Sequence, residues 1–277
     1  MTSAALNTDR GWLAELRLGF RRRTDRTVLV ERKRTGPLAV QRPFYPEGPV
    51  CHVYLLHPPG GVVGGDRLEI DVDAAAQSQV LVTTPGATKF YRSASAVASQ
   101  QVRLRVGAGA SLEWFPQENI LFSGADVSLR TEVELASDAR LALWEIHCLG
   151  RPVIDESFER GRLDSRLTIR RDGRPLLMER LRIAGLEGMR RSQLAGHPVT
   201  ATLLLNGAGD ADRDAARALL PWQADGYTGV TRIDDMLLVR YLGRSTEQAR
   251  DLFAAVWARL RPSLLGVAAT MPRIWST

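Results

Sequence analysis

The run Leu141-Ala142-Leu143-Trp144-Glu145-Ile146-His147-Cys148-Leu149 places a carboxylate and an imidazole inside an otherwise apolar segment. At the two-residue period of a strand, Glu145 and His147 share a face with Leu141 and Leu143, while Cys148 turns to the other face. A carboxylate in such a run needs a partner, a water-filled cavity or an ion. Three readings stay open: an ion pair with one of the many arginines, an acid–base pair, or a position that touches a metal in transit, because imidazole and carboxylate suit nickel and zinc. Met178-Glu179-Arg180-Leu181-Arg182-Ile183 repeats the pattern, with Glu179 in phase with Leu181 and Ile183. A salt bridge would satisfy Glu179 too. If Glu145 and Glu179 face one interior space, they line a polar passage.

Other chemistry is sparse. The histidines are His52, His57, His147 and His197, and none forms HxH or HExxH. No firm metal site is therefore expected, and His147 is the only candidate ligand among them. No G-x-S-x-G elbow points to a nucleophile. The glycines of Gly60-Gly61-Val62-Val63-Gly64-Gly65-Asp66 lead into a strand rather than a helix. They also lack the Lys-Ser/Thr of a phosphate loop, so turns are expected instead. Pro58 and Pro59 with Gly60 and Gly61 make one corner, and Gly64-Gly65-Asp66 a second. Thr83-Thr84-Pro85-Gly86 closes the strand that follows.

These residues must be held by strands. Arg67–Asp73 alternates strictly, and Val80–Val82, Gln101–Val106, Ser165–Arg170, Val199–Leu205 and Met236–Tyr241 read as further strands. A turn is expected at Asp172-Gly173. Three small-residue turns, beginning at Ala76, Ala108 and Ala136, each open an apolar strand. Their starts are 32 and 28 residues apart (108 − 76 and 136 − 108). That spacing predicts strand layers stacked as in a β-solenoid. Two helices are expected. One spans Asp210 to Leu220 and stops at Pro221. The other covers residues 246–260, with Ser245 and Gln248 at capping-box spacing and Pro262 as its end. The fold class is thus mainly β, a stacked-sheet, β-helix-like body with two helices, read as one domain over 1–277.

Bulk properties narrow the function classes. The 277 residues are 44% hydrophobic and 25% charged, ordinary for a globular protein. No apolar run is long enough for a membrane helix, and the N-terminal residues lack a signal-peptide core. Cys51 and Cys148 form no CxxC, which suggests a reduced, cytoplasmic protein. The net charge is +6, and all basic residues except Lys33 and Lys89 are arginine. The runs Arg21-Arg22-Arg23 and Arg32-Lys33-Arg34 suit a solvated face or an acidic protein partner. Nucleic acid is not expected, because no binding module accompanies the charge.

Four motifs carry a resemblance. G-G-x-x-G-G-D-x-L (Gly60 to Leu68), T-T-P-G-A-T-K-F-Y-R-S (Thr83 to Ser93), L-E-W-F-P-Q-E (Leu112 to Glu118) and W-E-x-x-C-L-G-R-P (Trp144 to Pro152) resemble the urease accessory protein UreD family, also called UreH. E-R-L at Glu179, L-A-G-x-P-V from Leu194 and the C-terminal helix extend the likeness along nearly the whole chain. The resemblance implies a non-enzymatic scaffold that binds apo-urease. Through a UreF-type protein it would recruit a UreG-type GTPase and support nickel insertion. It implies no tightly bound cofactor, only nickel in transit, and no catalytic residue. It also implies a tunnel, with Thr83, Thr84, Glu145, Glu179 and Asp66 as lining candidates. In that family view Gly60, Gly61, Gly64, Gly65, Pro85 and Gly86 are architectural, and His147 is individual to this chain.

Overall fold

A computed structural model describes residues 11–94, 96–185, 193–220 and 226–276. Two sheets face each other. The seven-stranded sheet runs in space β15 (Arg174–Ala184), β14 (Arg162–Arg171), β11 (Asp126–Leu135), β8 (Ala98–Val106), β5 (Arg67–Ala74), β1 (Leu13–Arg22) and β2 (Thr27–Thr35). The second runs β17 (Gly226–Ile233), β18 (Met236–Gly243), β16 (Val199–Asn206), β12 (Arg140–Arg151), β9 (Ser111–Phe115), β6 (Gln79–Thr83), β4 (Cys51–Leu56) and β3 (Ala39–Val40). Three short strands, β7 (Thr88–Phe90), β10 (Asn119–Leu121) and β13 (Glu156–Ser157), attach at its side.

The chain winds from one sheet to the other and back, so consecutive coils pair in parallel. β5, β8 and β11 stack in one sheet, and β6, β9 and β12 in the other. The expected layer repeat is present. Gln79, Ser111 and Arg140 stand in register, which gives steps of 32 and 29 residues (111 − 79 and 140 − 111). Each step begins with a turn closed by one backbone bond, from Ser78 N to Ala75 O, Ala110 N to Gly107 O, and Ala139 N to Ala136 O. Small residues occupy these turns because each turn stacks on the next.

Two cores result. Leu141 and Leu143 of β12 join Leu68, Ile70, Leu104 and Leu167 between the sheets. Trp144, Ile146 and Cys148 join Phe253, Val256 and Trp257 on the far side of the second sheet, under a helix. Alternation along β12 therefore splits its residues between the two cores as the period predicts. At one end the parallel coils give way to antiparallel strands, β14–β15 in one sheet and β16–β18–β17 in the other. Asp172 and Gly173 both hold positive φ at the β14–β15 turn, as a tight hairpin requires.

The helices depart from expectation at their ends. α1 is Asp210–Arg217, and the chain then tightens, with Leu219 N and Leu220 N bonded to Ala216 O and Arg217 O. Pro221 lies outside the described residues. α2 is Thr246–Leu265, and Pro262 does not end it. A proline costs the helix one hydrogen bond. Here Leu260, Leu264 and Leu265 stay buried on either side of it, and each such side chain contributes about 1.5–3 kcal/mol. Gly266, at φ 70°, supplies the stop. Only half of the capping box forms. Ser245 Oγ accepts from Gln248 N, but the Gln248 side chain accepts from Tyr241 instead.

Candidate functional site

Where the antiparallel strands take over, a cavity of about 340 Å³ opens between the sheets. β12 contributes Glu145 and His147, β14 contributes Ser165 and Leu167, β15 contributes Glu179, β16 contributes Thr200 and Thr202, and β18 contributes Arg240. Glu145 and Glu179, separate in sequence, thus face one space. Glu145 is 18% exposed and His147 7%, so they form the floor. Glu179 and Arg240 are more open and form the mouth.

Glu145 Oε1 accepts from Thr131 Oγ1 at 2.6 Å. His147 Nε2 lies 3.9 Å from its Oε2, and no arginine among the described residues pairs with it. Burial pushes the Glu145 carboxyl up, the Thr131 hydrogen bond lowers it and the Glu179 charge raises it, to about 7 overall. Burial pushes His147 down to about 4, so its imidazole is neutral at physiological pH. Its two ring nitrogens lie 3.4 Å from Asn119 Nδ2 and 3.4 Å from Ser165 Oγ. For Glu179 the salt-bridge reading holds: Arg240 pairs with it, and Arg240 also donates to Thr202 Oγ1 at 3.2 Å.

The floor therefore offers one neutral nitrogen donor, hydroxyls, and a carboxyl that ionises near neutrality. Such a set suits passing contact with a borderline divalent cation, exchanging protons as it binds. No group of three or more His, Cys, Asp or Glu among the described residues is placed to hold a metal ion.

The remaining candidates lie elsewhere. Thr83 Oγ1 donates to Phe115 O at 2.5 Å and accepts from Trp275 Nε1 at 3.0 Å, so it is buried and committed to packing. Asp66 accepts from Trp12 N and Val63 N at 2.8 and 2.9 Å and fastens the glycine corner. Thr84 donates to Gly86 O and accepts from Gln117 N. With Gly60, Gly61, Pro85 and Gly86, Thr84 lines a second, mostly apolar cavity of about 300 Å³. Asn119 lines that cavity and also contacts His147, so it stands between the two spaces.

Comparison with known proteins decides the family. A family model described as UreD urease accessory protein matches residues 13–276. The chain belongs to the UreD family. It is 46% identical to a urease accessory protein UreD of Alcanivorax borkumensis over 281 aligned residues, covering 99% of this chain and 96% of that protein. The Citrobacter koseri protein of the same name is 45% identical over 276 residues, covering 100% and 95%. That of Pseudomonas entomophila is 46% identical over 269 residues, covering 97% and 96%.

Several residues of this UreD-family chain escaped the sequence reading, though each leaves a trace. Thr131 is in phase with Val127, Leu129, Val133 and Leu135. Ser165 is in phase with Leu163 and Leu167, and Arg240 with Met236 and Leu238. A lone polar residue on the buried phase of a strand was the available signal. Glu113, inside the L-E-W-F-P-Q-E motif, had a different one. It is buried and accepts from Trp257 Nε1 at 2.6 Å and from Arg261 Nε and Nη2 at 2.9 and 2.7 Å. Burial opposes its charge, yet both oxygens only accept, so it stands as the carboxylate. Arg261 also pairs with Glu47, which in turn meets His52. This buried network ties α2 to the second sheet.

Proposed function

We propose that this chain is a urease accessory protein that binds apo-urease and supports nickel insertion into it, and that it is a scaffold rather than an enzyme. The observation that carries the reading is the carboxylate-floored cavity within an otherwise apolar inter-sheet core. Polar groups in such a core cost stability, and here two carboxylates, an imidazole and a row of hydroxyls gather at one place. In this reading nickel is cargo. It meets Glu179 at the mouth as Arg240 swings aside, then Glu145 and His147 at the floor, and it is released because too few ligands surround it. Asn119 and the Thr84-lined cavity continue the route. A UreF-type protein would join the chain to a UreG-type GTPase, which would supply the nucleotide chemistry.

Cells carrying a urease operon with and without this chain provide the test. Nickel-poor, inactive urease on deletion, restored by re-expression, is the expected result. Full activity and full nickel without the chain would refute the accessory role.

A further inference from the structure

At the end of the stack that holds the cavity, the second sheet is one strand wider than the first. Glu179 of β15 pairs with Arg240 of β18, so β15 lies opposite β18. No strand among the described residues lies opposite β17 or pairs with the outer edge of β15. Tyr227, Gly229, Thr231 and Ile233 of β17 pair with Leu242, Arg240, Leu238 and Met236. Leu238 and Met236 belong to the inter-sheet core, and Leu242 packs against it. Cross-strand partners share a face, so these four β17 residues also face inward, where the opposing sheet has already ended. Their exposure agrees. Tyr227 is 63% and Ile233 47% exposed, and no atom lies within 4 Å of where a Gly229 side chain would begin. The result is a shelf with the His197 ring edge-on to Tyr227 at 5.6 Å, an edge of β15 that no described strand pairs along one side, and the cavity mouth beside it.

We propose that this shelf seats an extended segment of a partner protein, which joins β15 as an added strand. Its inward side chains would be small or apolar, to lie on Tyr227, Gly229 and Ile233. Its outward side chains would be acidic. On that face they would neighbour Met178, which is 67% exposed, and Arg180 and Arg182. The local acids are already engaged, Asp164 by Arg166 and Arg180, and Glu179 by Arg240. Arg174, Arg182 and Arg244 are exposed, with no ion pair among the described residues, so the charge balance calls for carboxylates. The proposal rests on the accessory reading only in requiring a protein partner, and it places that partner directly over the cavity mouth.

Amide hydrogen exchange on the full chain, alone and co-purified from cells that co-express urease and its accessory proteins, tests the seat. Exchange in 174–184 and 226–233 is expected to slow about ten-fold or more in the complex. Gly229→Trp, which fills the shelf, and Arg182→Glu, at an exposed site, are each expected to lower the co-purified partner about ten-fold. Unchanged exchange in both segments, with new protection elsewhere, would overturn the proposal. So would protection, in the chain alone, of those β15 amides that do not bond to β14, since the seat would then be filled by the chain itself. Normal urease maturation with the seat unprotected would sink this inference and leave the accessory reading intact. A chain that co-purifies with no protein and is dispensable for urease nickel would sink both.

Discussion

Arg261 is fully buried between two carboxylates, Glu113 and Glu47, and donates to both. Removing one partner of such a cluster strands the rest in a poorly solvated place. Arg261→Ala is therefore expected to destabilise the chain by about 3–5 kcal/mol, read as a fall in urea midpoint. Glu47 gives the pH signature. Burial alone would raise its carboxyl, but hydrogen bonds from Arg261 and His52 prevail and hold it near 2, against an ordinary 4.5. A depressed carboxylate contributes stability that is complete above its unfolded pKa and is lost as pH falls through its folded one. Wild type is thus expected to lose on the order of 3 kcal/mol more than Glu47→Gln between about pH 4.5 and 2, by denaturant titration at each pH. The sequence hid this network, because the Glu47–His52 stretch, Glu113 and Arg261 lie on three segments far apart in the chain and only folding brings them together.

At the scale of elements, the glycine corner has unequal members. A side chain at Gly64 would begin 2.2 Å from Ser93 Oγ and 2.7 Å from Ala96 O, inside the next coil, whereas one at Gly60 would meet nothing within 4 Å. Gly64→Ala is expected to cost about 1–3 kcal/mol and Gly60→Ala less than about 0.5, compared by thermal unfolding. The strands were legible because alternation is strict in segments such as Arg67–Ala74, and the layer step was legible in the small residues that open each coil. The end of α2 was not. Pro262 reads locally as a stop, but burial of Leu264 and Leu265 carries the helix past it to Gly266. Gln248 likewise fits the capping spacing, but Tyr241, seven residues back on the strand that leads into the helix, claims its side chain.

For the molecule as a whole, strand phase showed that Glu145 and Glu179 point inward, and the topology determines that they point into the same space. Nothing local in the sequence says that β15 lies across from β18. Thr83 and Asp66 show the converse. They stand in the motifs that carry the family likeness, yet their polar atoms hold packing and turns together.

The most direct measurement is the nickel content of urease purified from cells in which this chain carries Glu145→Gln, Glu179→Gln or both. These near-isosteric changes remove charge while keeping shape. Each variant is expected to accumulate to the wild-type level, while urease nickel and activity fall together at least about ten-fold in the double variant. Fully loaded urease in the presence of the folded double variant would contradict a route past these carboxylates.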